Sequence, residues 1–392
     1  MKNDERPTAI VTDASERVAL HVIRALGRKG VRVHAVEIEG RSTCPIGFLS
    51  RYTAETTMLP AWGATSSEAW AEALLSIGKP GDVLMPSCLN TILRILEHRQ
   101  ALSEKFRFLL PPEEVLRRAN NKWELYKIAQ QMGIRTPATY RPRSEKEARE
   151  IAEEITYPAI LKLRHDENVY LAPVHRRRVV HSSNEFMEAW REMHQLQRTP
   201  IVQEFIRGQG YGFEALYDEQ RRLVAFCAHR RLVEFPPSGG PSAVCETIHS
   251  EELVEVSQRL LDRIGWVGVV MLEFKRSRRG DFLLLEANPR FWGSISLPEV
   301  AGLNFPFAYY RIASGRDFDP PPYKVGVRLR LTHLLLASAY VSFRASPLAF
   351  WKWLPQLFYV LDVGTHEGLC VIDDLRPVFA YITQRSSVDT GR

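Results

Sequence analysis

Several features that mark common protein classes are missing from these 392 residues. The five cysteines lie far apart and include no CxxC pair, so we expect reduced thiols in a cytoplasmic protein rather than zinc ligands or disulfides. No run of about 18 apolar residues is present, which argues against a transmembrane segment. The polar residues 1–8 do not have the pattern of a signal peptide. The length suggests a globular protein of about two or three domains.

A continuous basic surface is also missing. The net charge is +6, but the basic residues are scattered among acidic ones, with the densest clusters at 176–178 and 276–279. No zinc-finger or ribonucleoprotein motif accompanies these clusters, so we do not expect nucleic acid as a partner. The modest positive charge favours small anionic molecules or phosphates instead.

Residues 8–110 alternate between strand and helix patterns. The strand TAIVTD is followed by a helix that begins near Ser15 and ends at Gly30, and then by the strand VRVHAVEIE. Such alternation predicts a doubly wound parallel sheet. The first turn, TDASER, contains no glycine, so the GxGxxG fingerprint of a dinucleotide site is absent. After the prolines at 111 and 112, one long helix is predicted over 113–132.

The segment VMLEFKRSRRGDFLLLEANPR, residues 270–290, has the pattern of a β-hairpin. A turn centred between Arg279 and Gly280 places Glu273 directly opposite Glu286, and strand periodicity places Asn288 on the same face. Two opposed carboxylates destabilise a strand pair unless a cation lies between them. Carboxylate and amide oxygens are ligands that suit Mg²⁺.

Spacing alone leaves two interpretations of this hairpin open. In the first, the two acids bind a metal ion, and Arg290 holds a phosphate or carboxylate beside it as a bidentate donor. In the second, the hairpin is exposed and its acids are solvated, with Lys275 or Arg276 as neighbours. Lys162 has a similar ambiguity, because a lysine in the apolar strand YPAILKLR must either reach water at a sheet edge or meet an anion.

The last part of the chain is rich in aromatic and aliphatic residues. Residues 331–361 are broken by Pro347 and Pro355 and follow the proline-rich joint 317–324. One interpretation is peripheral contact with a membrane surface through Trp351, Lys352 and Trp353. The interpretation that we favour at this point is a set of helices packed on the main body or on a second subunit, as in a homodimer.

Five stretches in succession resemble the ATP-grasp superfamily, in particular its carboxylate–amine ligases. They are NNKWELYKIAQQMGIRTP, YPAILKLR, VQEFIRG, GVVMLEFK and LLLEANPRFWGS. The overall layout is most similar to short carbamoyl-phosphate-synthetase-like ligases. The resemblance implies an α/β and α+β chain with an ATP-grasp fold, an N-terminal doubly wound domain and a C-terminal helical extension. The implied boundaries are 1–111 for the N-terminal domain, 112–200 for the first ATP-grasp subdomain with its lid, 201–316 for the second with the metal site, and 317–392 for the extension.

The same resemblance assigns roles to individual residues. ATP would be bound by Lys122, Lys162, Gln203, Glu204, Phe205 and Ile206, with Glu214 as the candidate for the ribose. Magnesium or manganese would be held by Glu273, Glu286 and Asn288, while Arg290 and Lys162 would act in catalysis. Candidates for the substrate carboxylate pocket are Arg230, Arg231, Ser238, Gly239 and Gly240.

The implied reaction uses ATP to convert a small carboxylate into an acyl phosphate, which an amine then attacks, with release of ADP and phosphate. A lid would keep water from the acyl phosphate. Here the lid, residues 164–178, contains no glycine, so His165, His175 or Arg178 would have to grip the phosphates. Because of this lid, a non-catalytic ATP-binding regulatory protein stays an alternative, as does a carboxylase-type enzyme that activates bicarbonate.

Overall fold

The computed structural model describes residues 6–169, 171, 173–236, 239–277 and 279–389. Its N-terminal unit consists of β1 (Ala9–Val11), α1 (Arg17–Gly27), β2 (Val33–Ile38), β3 (Glu55–Leu59), α2 (Ser67–Ser76), β4 (Val83–Met85), α3 (Leu89–Glu97) and α4 (Arg99–Lys105). The four strands are parallel, in the order β3-β2-β1-β4. Val11 packs with α1, whereas its neighbour Ile10 packs with α2 and α3. Helices therefore cover both faces, and the predicted doubly wound sheet is confirmed.

Two details of this unit differ from the prediction. Helix α1 begins after Glu16, and no side chain caps it. The backbone amide of Ser15 donates to the carboxylate of Glu37 at 2.6 Å. In addition, the helical pattern over 90–102 is divided at His98 into α3 and α4.

Asp13 lies in the crevice at the carboxyl ends of β1 and β4. The strand order reverses between these two strands, which is where doubly wound sheets commonly bind ligands. The Asp13 carboxylate accepts hydrogen bonds from the amides of Ser87 and Cys88, at 3.1 and 3.0 Å, and from the hydroxyl of Thr91 at 2.6 Å. The protein's own carboxylate therefore takes the donors that an anionic ligand would use at this position.

A break in the next helical segment corrects the prediction of one helix over 113–132. The segment forms α5 (Glu113–Asn120) and α6 (Lys122–Gln131). Asn121 between them is extended and caps α6, since its side-chain oxygen accepts from the amide of Trp123 at 3.1 Å. The break places Lys122 in the first turn of α6.

A second, antiparallel sheet follows. Its elements are β5 (Thr139–Tyr140), α7 (Glu145–Glu154), β6 (Ala159–Lys162), β7 (Arg177–Val180), α8 (Ser183–Leu196) and β8 (Ile201–Glu204). The strand order is β5-β8-β6-β7. Helices α7 and α8 pack on the face that carries Leu161, so Lys162 belongs to the opposite face. We call this the lid sheet.

The largest sheet begins with β9 (Gly210–Tyr217), β10 (Leu223–Glu234) and β11 (Ser242–Ile248), and continues after α9 (Glu251–Ile264) with β12 (Gly268–Arg276) and β13 (Phe282–Asn288). Helices α10 (Ser296–Val300) and α11 (Phe305–Ala313) come next. One face packs on α5, α6 and α9. Met271, on the other face, packs against the N-terminal unit. Helix α9 follows the capping residue Ser250 and ends before the left-handed Gly265.

The segment after residue 316, predicted to be a helical extension, also adds strands to this sheet. It contains β14 (Arg328–Arg330), α12 (Thr332–Ala345), α13 (Pro347–Trp353), α14 (Phe358–Leu361), β15 (Thr365–Glu367) and α15 (Arg376–Asp389). Strand β14 pairs with β11, and β15 pairs with β14, which gives the order β13-β12-β9-β10-β11-β14-β15. No helix in the described part of the chain combines the length and the hydropathy needed to cross a bilayer.

Candidate functional site

Glu273 and Glu286 lie directly opposite each other on β12 and β13, as predicted. The strand register that produces this pairing differs from the predicted register. On the turn side of the two acids the pairing shifts by one residue, so that Phe274 faces Leu284. The hairpin turn is therefore one residue tighter than a turn centred between residues 279 and 280, and Leu285 forms a bulge. The hydroxyl of Tyr126 on α6 donates to the carbonyl of Leu285, which stabilises this irregularity. Without the bulge, Glu273 would face Leu285.

Basic and amide side chains bind both carboxylates. The Nζ atom of Lys122 lies 3.3 Å from Glu286, and the guanidinium of Arg231 lies 2.6 Å from Glu273. The side-chain amide of Asn288, on the same face, donates to Glu273 at 3.0 Å. The two carboxylate side chains are only 16% and 30% exposed, so the interpretation in which these acids are solvated on an open hairpin is wrong.

Lys275 and Arg276, the neighbours that the open-hairpin interpretation required, have other partners. The Nζ atom of Lys275 donates to the carbonyl of Ile206 at 3.1 Å. The guanidinium of Arg276 donates to the carbonyl of Gly280 at 2.8 Å, within the hairpin turn. The partners of the two acids are instead Lys122 and Arg231 from outside the hairpin and Asn288 from within it.

The positive charges near the two acids favour the binding of an anion beside them. Burial opposes ionisation of Glu286, yet the charges of Lys122 and Lys162 lower the pKa of its carboxyl below the ordinary value. Burial, together with the charges of Lys122 and Arg177, lowers the pKa of Lys162 to about 8 even though Glu286 acts in the opposite direction. The negative charge of Glu286 therefore does not fully offset the burial of the Lys162 ammonium, as expected of a side chain that binds phosphate.

The donor set fits a hard divalent cation that keeps part of its own coordination shell. Two carboxylates and the side-chain amide of Asn288 converge here, and no group of three or more His, Cys, Asp or Glu side chains suited to a metal occurs among the described residues. Mg²⁺ is commonly held by one or two carboxylates together with waters and phosphate oxygens. Glu273, Glu286 and Asn288 are therefore compatible with a Mg²⁺ ion that also binds a phosphate.

The segment after β8 connects the lid sheet to the large sheet and contains the predicted adenine contacts. Gln203 is 1% exposed, and its side-chain amide donates to the hydroxyl of Thr139 at 2.8 Å. The Glu204 carboxylate accepts from the amide of Ala138 at 3.0 Å and thus binds its own sheet. The ammonium of Lys275 lies 5.6 Å from the centre of the Phe205 ring. Phe205 and Ile206 both contact Lys275 of the large sheet.

A cavity of about 460 Å³ lies beside this connection and is lined by Pro158, Val179, Phe205 and Lys275, among others. A second cavity, of about 540 Å³, shares Gly208 and Glu234 with the first. Its lining includes Arg231 of the large sheet and Ser342, Trp353 and Gln356 of the C-terminal extension. The C-terminal extension therefore forms one wall of the second cavity, which reaches the candidate site at Arg231.

Arg177, for which the sequence predicted no role, faces the cleft from the lid sheet. It lies opposite Lys162 in the pairing of β6 and β7, and its guanidinium donates to the carbonyl of Gly239. Arg178, the predicted phosphate ligand, lies opposite Leu161 and is 3.5 Å from Glu192 on α8. The prediction for Arg178 is therefore wrong, because adjacent residues of a strand point to opposite faces.

The lid is joined to the N-terminal unit as well. The backbone amide of Asn168 donates to the side chain of Asn90 on α3 at 3.0 Å, and Glu167 forms an ion pair with Arg117 on α5. His165 contacts Gln197, whose side-chain nitrogen lies 3.3 Å from its ring. These contacts hold the described part of the lid, which lacks residues 170 and 172, over the cleft.

The glycine turn that was predicted to line a carboxylate pocket lies between the lid and the large sheet. The carbonyl of Gly240 accepts from the guanidinium of Arg231 at 2.8 Å, while that of Gly239 accepts from Arg177. A Cβ atom on Gly240 would lie 2.1 Å from the carbonyl oxygen of Phe235, so no side chain fits there. Ser238 lies outside the described residues. Binding of a substrate by Arg231 and this turn stays a prediction.

Arg230 does not share the pocket of Arg231. It points to the opposite face of the sheet, where its guanidinium donates to Glu246 at 2.7 Å. The same carboxylate accepts from Arg328 at 2.9 Å. The prediction that both arginines line one carboxylate pocket is therefore wrong for Arg230, which belongs to an ion-pair network between β10, β11 and β14.

Glu214 is not placed to bind a ribose. It has no exposed surface, and Nδ1 of His229 lies 2.5 Å from its carboxylate. Its strand neighbours are Met271 and Cys227, both buried. The prediction for Glu214 is wrong because strand periodicity puts it on the correct face but too deep in the sheet for contact with a ligand in the cleft.

Arg290 follows β13 and is partly buried. Its guanidinium donates to the carbonyl of Phe291 at 2.8 Å, and it forms no ion pair with any of the described acids. Arg17 at the start of α1 donates to the carbonyl of Gly293 at 2.8 Å, so the N-terminal unit borders the loop after Arg290. No local sequence signal points to Arg17, since only the packing of distant units brings it here.

Comparison with known proteins agrees with this geometry. A family model described as "ATP-grasp in the biosynthetic pathway with Ter operon" matches residues 196–333. A D-alanine–D-alanine ligase of Pseudomonas putida (strain GB-1) is 25% identical over 187 residues, which cover 43% of this chain and 54% of that ligase. The chain thus matches about half the length of its curated relatives.

Solved structures share the fold at low sequence identity. The biotin carboxylase domain of 2-oxoglutarate carboxylase from Hydrogenobacter thermophilus has a TM-score of 0.64 at 16% identity, covering 83% of this chain and 74% of that one. An L-amino acid ligase from Bacillus licheniformis has a TM-score of 0.58 at 16% identity, covering 81% and 75%. The chain therefore shares the fold of these structures, and its segment 196–333 matches an ATP-grasp family model.

Proposed function

We propose that this protein uses ATP and Mg²⁺ to activate a small carboxylate as an acyl phosphate and joins it to an amine, with release of ADP and phosphate. The observation that supports this most directly is the pair Glu273 and Glu286, opposed on one sheet face beneath the cationic side chains of Lys122, Lys162 and Arg231. Phosphoryl transfer requires such positioning and charge neutralisation and no nucleophile from the protein.

Glu273, Glu286 and Asn288 are the residues that would hold the metal. When bound, Mg²⁺ would neutralise charge on the phosphate oxygens and help to orient them. Asn288 donates to Glu273 through its side-chain nitrogen. To bind the cation it would have to present the oxygen of the same amide instead.

Lys122, Lys162 and Arg177 would bind the phosphates from two sides of the cleft. Lys122 approaches from α6, and the other two lie opposite each other on the lid sheet. The adenine would enter the cavity beside Phe205, where Ile206 offers its backbone. Arg290, which has no acidic partner among the described residues, would stabilise the transferred phosphate as a bidentate donor.

The substrate carboxylate would lie near Arg231 and the glycine turn, and the amine in the 540 Å³ cavity beyond them. Glu234 at the border of the two cavities offers a negative charge to an ammonium group. The similarity to a D-alanine–D-alanine ligase and to an L-amino acid ligase makes amino acids the first compounds to test.

Release of ADP and phosphate from ATP and Mg²⁺ should be measured over a panel of amino acids and small carboxylates, singly and in pairs. Mass analysis of the products then identifies the new bond. We expect one carboxylate–amine pair to increase phosphate release and to give a condensed product with ADP, not AMP. Release of AMP and diphosphate would contradict the proposal, because it indicates an adenylated intermediate.

Two alternatives give different results in the same assay. A non-catalytic ATP-binding regulator, which the glycine-free lid favours, would bind ATP by calorimetry but release no phosphate with any compound of the panel. A bicarbonate-activating enzyme, which the structural similarity to a biotin carboxylase domain brings into consideration, would release phosphate with bicarbonate alone.

A further inference from the structure

The second half of α12 has an apolar outer face and a polar inner face. Leu336, Tyr340 and Phe343 are 53%, 64% and 62% exposed, and their spacing of four and three residues places them on one side of the helix. The opposite side carries Ser338 and Ser342, which are buried. A helix that only packs on the protein body would have the reverse arrangement.

The apolar surface continues over the two following helices. Leu348 and Trp351 on α13 are 64% and 67% exposed, and Phe358 on α14 is 59% exposed. The rings of Phe343 and Phe350 are in edge-to-face contact, with centres 5.6 Å apart, so α12 and α13 form one continuous surface. We call the exposed side chains of Leu336, Tyr340, Phe343, Leu348, Trp351 and Phe358 the aromatic face.

The segment that carries the aromatic face has charges of one sign. Residues 320–361 contain no Asp or Glu and five Lys or Arg. Arg328 and Arg330 form ion pairs within the protein. Arg344 and Lys352 are exposed, and neither forms an ion pair with any described residue. The face therefore presents free positive charge beside exposed apolar groups.

We propose that the aromatic face docks on the surface of a lipid bilayer that contains anionic headgroups. Interfacial helices combine an apolar side with Trp and Phe and basic residues beside it, and each basic residue near an anionic surface contributes about 1 kcal/mol. Tyr and Trp are also favoured at the boundary between acyl chains and headgroups.

A second copy of the chain is a poorer match for this face. In a twofold dimer the same patch would meet itself, so Arg344 and Lys352 would approach their own counterparts with no acid in residues 320–361 to pair with. Anionic headgroups supply the missing negative charge. Trp353, on the same helix as Trp351 but facing inward, lines the cavity beside Arg231, so the docked helix would border the candidate site.

The test is sedimentation of the full chain with vesicles of neutral phosphatidylcholine, or of phosphatidylcholine with one quarter phosphatidylglycerol. We expect binding to the anionic vesicles, and weakening of it by salt. Phe343→Ser with Trp351→Ser, and separately Arg344→Glu with Lys352→Glu, should each reduce the partition coefficient by about tenfold or more. Leu196→Ser, an exposed apolar residue on α8, and Lys146→Glu on α7 are the matched controls and should bind like the unchanged chain.

The proposal is independent of the ligase assignment, since vesicle binding needs neither ATP nor substrate. Failure of the unchanged chain to bind anionic vesicles overturns it. A dimer in light scattering that Phe343→Ser with Trp351→Ser abolishes, without vesicle binding, also overturns it and assigns the face to a second copy. Circular dichroism of each variant separates loss of binding from loss of folding, and the charge variants keep the test valid if the aromatic pair fails to fold.

Discussion

The guanidinium of Arg231 lies 2.6 Å from the carboxylate of Glu273, and the same guanidinium donates to the carbonyl of Gly240. Arg231 therefore connects a proposed metal ligand to the proposed substrate turn. Mg²⁺ and the guanidinium of Arg231 would compete for the carboxylate of Glu273. The effect of Mg²⁺ on the stability of the fold should therefore depend on whether Arg231 is present.

Arg231→Met should therefore destabilise the protein in magnesium-free buffer by about 1–3 kcal/mol. The substitution removes the guanidinium that pairs with the largely buried carboxylate of Glu273. Added Mg²⁺ should raise the melting temperature of this variant more than that of the unchanged chain. Differential scanning fluorimetry with and without Mg²⁺ measures both effects. Arg230→Met, on the opposite face, is the control and should show the ordinary magnesium effect. Equal magnesium effects in all three proteins would remove Glu273 from the metal site.

Glu286→Gln should reduce ATP turnover by on the order of 100-fold or more while leaving the fold intact. The amide is the same size as the carboxylate but lacks the charge that a divalent cation requires. Steady-state phosphate release, with circular dichroism to verify folding, measures the effect. Glu255→Gln on α9, whose side chain is 74% exposed, is the matched control. Undiminished turnover in Glu286→Gln would contradict the assignment.

Lys162 should make nucleotide binding dependent on pH. Its pKa is lowered to about 8, and bound phosphate favours the charged ammonium, so the pKa in the complex must be higher than in the free protein. ATP binding should therefore take up a proton near pH 8 to 9, and affinity should fall as the pH rises above about 8. Calorimetry in buffers of different ionisation enthalpy measures the proton uptake.

Two substitutions of the same residue separate charge from position. Lys162→Arg keeps the charge at all these pH values and should abolish the proton uptake. Lys162→Ala should weaken ATP binding by about 1–3 kcal/mol at pH 7. If Lys162→Ala binds ATP as tightly as the unchanged chain, Lys162 does not hold the phosphates.

Arg177 and Arg178 form a natural matched pair. Arg177→Ala should weaken ATP binding by about tenfold, because its guanidinium faces the cleft opposite Lys162. Arg178→Ala removes the same charge from the other face of the strand and should leave affinity nearly unchanged. Titration of both variants with ATP under the same salt conditions tests this. A larger loss for Arg178→Ala would reverse the assignment of the two faces.

Local sequence patterns predicted the doubly wound N-terminal sheet and the β-hairpin over residues 270–290. These features depend on apolar periodicity, capping side chains and turn residues, whose effects extend over only a few residues. The order of five short stretches was enough to predict the ATP-grasp fold. The roles proposed for individual side chains stay predictions.

Tertiary structure decided what local patterns left open. Tyr126, on a different helix, binds the bulged Leu285 and so sets the register that brings Glu286 opposite Glu273. The pairing of β6 with β7 brought Arg177, and not Arg178, to the cleft. These outcomes rest on contacts between residues far apart in the chain, and a shift of one residue in any strand reverses which side chains reach the site.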